Sequence, residues 1–327
     1  MAKRKSTIPH YKRRRKGSFL GRLVGWIVKI VLAFLIVSVL WVLAYRFVNP
    51  PVTFNMIGDL IAGRGVHKSW MPIGEIDRDM VRASIAAEDS KFCSHHGFDF
   101  EAIEDAMKRN ASGGRIRGGS TISQQTAKNA FLWQGGGYAR KGIEAWFTFL
   151  MEHMYPKRRI MELYLNLGET GIGTYGVNAG AQRYFGHDAS AMTETEAARI
   201  AAVLPLPKKR GAVAPKGFTR RYGNTIAARI GVVARDGLDA CVYRGITPPP
   251  KKAPPKVTTK PRPLPGEEYE TAKPPAAPEE NAVEEVSPPE APVVINDIAP
   301  APPQPLETNT LPETPPAAPP PEPSNQF

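Results

Sequence analysis

Residues 80–99 read MVRASIAAEDSKFCSHHGFD. Met80, Val81, Ile85 and Ala86 recur at the spacing of a helix with one buried face, and Asp77 or Asp79 can cap its start. The helix runs into an acid pair, Glu88-Asp89, and then a turn holding His95, His96 and Gly97. Outward from here the same rhythm repeats. A second helix is expected over 100–107, and a third over 121–132, opened by Ser120 or Thr121. A fourth runs from 140 to 155 and stops before Pro156, and Ile160, Leu163, Tyr164 and Leu167 stripe a fifth. Thr193-x-x-Glu196 is a capping box ahead of a sixth, 197–204, which Pro205 ends; the last covers 222–234. No alternating strand is longer than a few residues, so the fold class is mainly α. Gly171-Ile-Gly173-Thr-Tyr-Gly176 matches the dinucleotide fingerprint in letters, but it follows a helical stripe without a βαβ rhythm. We read it as a glycine-rich turn.

This helical part, residues 52–247, is one domain-sized unit. Of the 33 prolines in 327 residues, 25 fall in residues 248–327, which are read as a disordered, extended tail. That tail has a net charge of −6, so the rest carries +18. Two cysteines in so long a chain exclude a disulfide-built scaffold, and their separation excludes a clustered zinc site. Residues 1–19 hold eight Lys and Arg and no acid. Such an arm suits nucleic acid or the cytoplasmic side of a membrane, and the adjoining segment decides between them. Residues 23–44, LVGWIVKIVLAFLIVSVLWVLA, carry Lys29 as their only charge, and at ~1.5 Å per residue they can cross a ~30 Å hydrocarbon core. Lys29 can snorkel outwards, and Trp26, Trp41 and Tyr45 mark the two interfaces. No small-x-small cleavage site comes after it, so this is an uncleaved anchor. The expected organisation is a basic cytoplasmic segment (1–22), a single-pass anchor (23–46), a domain outside the inner membrane (52–247) and the tail (248–327).

The chemically dense stretches are Glu88 to Asp99, Arg117 to Asn129, Arg140-Lys141-Gly-Ile-Glu144 and Lys157 to Asn166. A helix start with Ser120, Thr121 and Lys128 suits an anionic phosphate, and carboxylates suit glycosyl transfer, where one activates the attacking hydroxyl. The sum is sugar plus diphosphate beside a membrane. These blocks, in this order, resemble the peptidoglycan glycosyltransferases of glycosyltransferase family 51, most of all the monofunctional, membrane-anchored branch. Glu88, Asp89, Phe92, His95, Gly97 and Asp99 match one block, and Gly118 through Asn129 another. The likeness runs from about Trp70 to Leu206; the proline-rich tail departs from the family's minimal pattern.

The resemblance implies a lysozyme-like helical fold that polymerises lipid II at the bacterial inner membrane. It makes Glu88 the general base and Glu144 a second carboxylate near the donor diphosphate, acting through a divalent cation (Mg or Mn). Lys128, Arg140 and Lys141 would neutralise the diphosphate, and Ser120, Thr121, Gln124, Gln125 and Asn166 would position sugar and phosphate. Expected partners are lipid II, the growing lipid-linked glycan, the membrane and cell-wall synthesis or division proteins, not nucleic acid. Plainer readings stand beside these. Glu144 can simply pair with Arg140 or Lys141 along its helix, and Gln124 and Gln125 can be solvated. Asp89 reads as a cap or orienter, and His95 as a brace behind Glu88. Cys93 and Cys241 are either a disulfide or two buried thiols. Phe131, Leu132 and Trp133 either dip into the bilayer or end a core helix. Two rival functions also remain at this point, a hydrolase of finished glycan and a non-catalytic scaffold.

Overall fold

The computed structural model describes residues 19–111 and 119–253; residues 1–18 of the basic arm, Arg117 and Gly118 of the motif, and the tail from 254 lie outside the described residues. The chain starts with α1 (Phe19–Phe47), followed by α2 (Phe54–Ile61), β1 (His67–Lys68) and α3 (Arg78–Glu88). Next come α4 (Phe100–Ala111), α5 (Ile122–Phe131), α6 (Gly137–Met154) and α7 (Lys157–Leu167). A hairpin of β2 (Glu169–Gly171) and β3 (Thr174–Tyr175) leads into α8 (Val177–Phe185), and α9 (Glu194–Val203) and α10 (Gly217–Arg235) complete the order. β3 lies between antiparallel β2 and parallel β1. The mainly helical class expected from the periodicity is what the structure has.

Caps explain most of the boundaries. The Asp77 carboxylate accepts from Asp79 N–H at 2.9 Å and opens α3. Thr121 and Gln124 form a reciprocal capping box on α5, as do Thr193 and Glu196 on α9. α6 begins three residues earlier than expected because residues 135–137 all have positive φ and wind the chain into its first turn. Two helices were not anticipated. α2 follows a Pro-Pro pair and is only 8 residues long, and α8 (VNAGAQRYF) has a β-branched start and a glycine at its fourth position. Both helices exist because tertiary packing outweighs weak local preference. The glycine-rich turn is the β2–β3 hairpin, entered from α7 and followed by α8, so it is not the strand-to-helix turn of a dinucleotide site.

α3 packs on α9 and α10, and α5 packs on α6 and α7. Between them lie Ile76, Met80, Ile85, Phe92, Ile122, Met151, Ile160 and Leu163, all fully buried. Each such side chain contributes about 1.5–3 kcal/mol of burial free energy. Cys93, after α3, is disulfide-bonded to Cys241, after α10. The fold does not stop at residue 247. Lys251 reaches Asp77 Oδ1 at 3.1 Å, Asp79 Oδ2 at 2.5 Å and Met192 O at 2.7 Å, so the folded part extends past the expected boundary.

α1 is 29 residues long, about 43 Å of helix, with Arg22, Lys29 and Arg46 as its charges, and it starts a turn before the expected span. Its carboxyl-terminal third is docked on the domain. Trp146 Nε1–H donates to Ser38 Oγ at 3.0 Å, the Tyr155 hydroxyl donates to Val42 O, and the Arg159 guanidinium donates to Tyr45 O and Val48 O near 3.0 Å. Trp41 packs edge-on against Phe131, and Tyr45 stacks on Phe131, with ring centroids 5.4 Å apart in both pairs. Trp41 and Tyr45, expected as interface markers, are therefore turned towards protein.

Candidate active site

Glu88 is the last residue of α3, and its surroundings are built by a brace behind it. The next residue, Asp89, caps the helix end and accepts from Ile122 N–H at 3.0 Å, tying the end of α3 to the start of α5. His95 Nε2 lies 2.9 Å from both Asp89 oxygens, and Gly97 N–H donates to His95 Nδ1 at 3.1 Å. The Nδ1 acceptor role puts the ring proton on Nε2, facing the carboxylate. The Thr121 hydroxyl donates to Gly97 O at 2.7 Å. Gly97 has φ +91°, and a Cβ there would sit 2.8 Å from Glu152 Cγ and 2.9 Å from Thr148 Cγ2, so no other residue fits.

The Glu88 carboxylate is then satisfied on one side only. Gln125 Nε2–H donates to Oε2 at 2.6 Å, whereas Oε1 is buried without a hydrogen-bond partner among the described residues. Burial holds this carboxyl above the ordinary carboxylate range, while the Gln125 hydrogen bond and the Lys128 charge pull it back. The half-buried Lys128 ammonium is pushed down by burial and makes no ion pair among the described residues. Arg210 also lies within electrostatic reach of Glu88, its guanidinium stacked over Phe218 at 4.9 Å and donating to Ala202 O. The Tyr164 hydroxyl is buried, unpartnered and electrostatically coupled to Glu88, and the Tyr222 hydroxyl donates to Ala87 O at 2.9 Å.

A second cluster sits on α6. Arg140 Nη1–H donates to Glu144 Oε2 at 2.7 Å, and Lys141 pairs with Oε1 while donating to Ser120 Oγ at 2.9 Å. Glu144 is 2 % exposed, and Arg140 Nε is buried with no acceptor. Lys128 lies within electrostatic reach of Glu144, Arg140 and Lys141, so three cations gather around a carboxylate that pairs with two of them. The wall they form is cationic and leaves one guanidinium donor unused, which suits a dianionic group.

Several expected contacts have other positions. Thr121 and Gln124 are buried and bonded to each other as the α5 cap, so the Thr121 hydroxyl and the Gln124 amide oxygen are engaged in shaping the helix start. Asn166 is fully buried; it accepts from Met71 N–H at 2.8 Å and donates to Met71 O and Glu162 O, clamping α7 to the segment before α3. Gln125 is a partner of Glu88 and is not simply solvated. Arg210 and Tyr164 were given no role from the sequence, since only the fold brings α7 and the segment after α9 towards Glu88. The divalent cation inferred from the resemblance does not fit these residues. Both Glu144 oxygens are on cations, and no three ligating side chains cluster among the described residues.

A buried carboxylate with one unpartnered oxygen beside a cationic wall, in a domain joined to an apolar helix, suits a transferase acting on an anionic donor. Known proteins agree with that class. The transglycosylase family model matches residues 55–230, and the chain belongs to this family, whose domain is lysozyme-like. A Caulobacter vibrioides protein named biosynthetic peptidoglycan transglycosylase is 48% identical over 227 residues, 69% of this chain and 99% of the relative. Proteins of the same name from Xanthomonas campestris pv. campestris (strain B100) and Rhodospirillum centenum are 47% identical over 207 residues and 43% over 226. These cover 61% and 69% of this chain, and 84% and 98% of the relatives.

Proposed function

We propose that this chain is a peptidoglycan glycosyltransferase that polymerises lipid II, with Glu88 as general base. The unpartnered Glu88 Oε1 carries the reading, because a buried carboxylate oxygen without a donor is a place for a substrate hydroxyl. Oε1 takes the proton from the acceptor sugar hydroxyl, and that oxygen bonds to the anomeric carbon of the lipid-linked chain. The bond from the anomeric carbon to the diphosphate breaks with inversion, and its electron pair leaves on undecaprenyl diphosphate. Lys128, Arg140 and Lys141 meet the charge that gathers there, a role that needs no metal held by the protein. Gln125 orients the base, and Glu144 keeps Arg140 and Lys141 in place.

With eight basic residues on its amino side, α1 crosses the inner membrane with the amino terminus in the cytoplasm and the domain in the periplasm. Incubation with lipid II, and separately with purified glycan, tests the function. Polymer from lipid II supports it, and soluble fragments from finished glycan would replace it with hydrolysis.

A further inference from the structure

Residues 208–235 contain eight Lys and Arg and no acid. Arg199 on α9 and Lys216 and Arg220 at the start of α10 line an open groove of about 400 Å³, together with Thr195 and Asn224. None of these three cations makes an ion pair among the described residues. The groove is distinct from the site around Glu88, and its lining asks for an anionic occupant.

The chain itself leaves the described structure beside this groove. Lys251 is fastened to Met192 O and to Asp77 and Asp79, and Met192 immediately precedes the α9 cap, Thr193. Thr195 and Arg199 stand three and seven residues further along, roughly 5–10 Å at the helical rise. Past this point the sequence turns acidic. Residues 267–290 hold eight glutamates against a single cation, Lys273.

We propose that the acidic stretch 267–290 of this chain docks in the groove formed by Arg199, Lys216 and Arg220. Reach is sufficient. Glu267 lies 14 residues beyond Ala253, the last described, a flexible span of roughly 20 Å, and a proline-stiffened one extends further. Tethering then raises the local concentration of the stretch to the order of millimolar, so even a contact with a millimolar Kd is about half formed in the intact chain. Between separate molecules the same contact is negligible at micromolar protein. A local tether therefore favours this occupant over a free anion or a second copy. The contact is a charge pairing at a partly open surface, so it weakens as the Debye length falls from about 10 Å at 0.1 M salt to about 3 Å at 1 M.

Zero-length carbodiimide cross-linking of the full chain in detergent micelles, with ¹⁴N- and ¹⁵N-labelled chains mixed, tests this directly. The expected product joins Lys216 to a glutamate within 267–290 of the same chain, in a yield independent of protein concentration and reduced by salt. Arg199→Glu with Arg220→Glu should lower that yield by about tenfold. Arg199→Gln with Arg220→Gln should give a smaller loss at unchanged melting temperature, which separates undocking from misfolding. Lys216 left unlinked, or linked only between isotopically different chains, overturns the proposal. So does an unchanged yield in the charge-reversed variant that has lost binding to phosphatidylglycerol vesicles, which would make the groove a lipid-headgroup site.

Discussion

At the scale of single residues, the unequal environments of the two Glu88 oxygens make separable predictions. Glu88→Gln keeps the shape and the contact with Gln125 but cannot take a proton. Polymerisation should fall by ~10²–10⁴ with donor binding little changed, read by turnover and binding of labelled lipid II. A near wild-type rate would remove Glu88 as the base. Stability should move the other way. Burial raises the folded-state pKa of Glu88, so ionising it disfavours the fold once pH rises above the unfolded value of about 4.3. Glu88→Gln should therefore melt no lower than wild type at pH 7, and its stability should lack this loss on going from acid to neutral pH.

Gln125→Ala removes the one hydrogen bond that favours the Glu88 carboxylate. A hydrogen bond to a charged group is worth ~1.5–3 kcal/mol, so the acid limb of the rate profile should move up by about one to two pH units. An unmoved limb would mean that Gln125 does not orient the base. Arg140→Ala should instead weaken donor binding and lower the rate only partly, because its charge meets the diphosphate before and during the reaction. At this scale the sequence identified residue types better than their uses. Thr121-x-x-Gln124 fits both a ligand-binding helix start and a capping box, and the structure shows the cap. The Glu88–Gln125 contact spans 37 residues, which no local pattern reveals.

Between residue and molecule stand the elements. Hydropathy alone was enough to find α1, but its docking was not legible, because Val42 is of the same type as the lipid-facing positions around it and the one serine, Ser38, can bond within its own helix. The partners lie more than 100 residues away, on α6, on α7 and at the turn between them. Arg159 closes the end of α1 by donating to its last carbonyls and to Asn49 Oδ1. Arg159→Ala should destabilise the full chain in detergent by about 1–3 kcal/mol, and a chain lacking α1 by clearly less. Equal losses would mean that Arg159 acts only through Glu162 on its own helix. The run from Phe131 to Trp133 divides between the two readings given to it. Phe131 and Leu132 are core, while Trp133 is 46% exposed near Phe54, on the side of α2 where Ile57, Leu60 and Ile61 are also exposed. Trp133→Ser should weaken liposome binding of the anchorless domain with little change in melting temperature; a large fall in melting would place Trp133 in the core.

For the molecule as a whole, the Cys93–Cys241 bond determines how firmly the two ends of the domain are held together. It links the loop after α3, which braces Glu88 through His95, to the segment after α10, across 148 positions. Neighbouring contacts tie the same regions: Asp239, fully buried, receives Arg78 at 2.7 Å and Arg82 at 3.0 Å, and Lys251 reaches back to Asp77 and Asp79. These contacts form only in the folded state, whereas the disulfide also restricts the unfolded chain. Closing so long a loop stabilises by up to about 5 kcal/mol in the chain-entropy model, and commonly by ~2–4. For a domain near 200 residues, each kcal/mol shifts the melting temperature by ~2–4 °C. Reduction should therefore lower melting by roughly 5–15 °C, and Cys93→Ser with Cys241→Ser should melt like the reduced protein and ignore reductant. Because Asp239 and Lys251 keep their partners, the reduced protein should still polymerise lipid II at temperatures below its lowered transition. Alkylation without reductant, followed by mass spectrometry, checks the premise, and two modified thiols in the protein as isolated would end the argument.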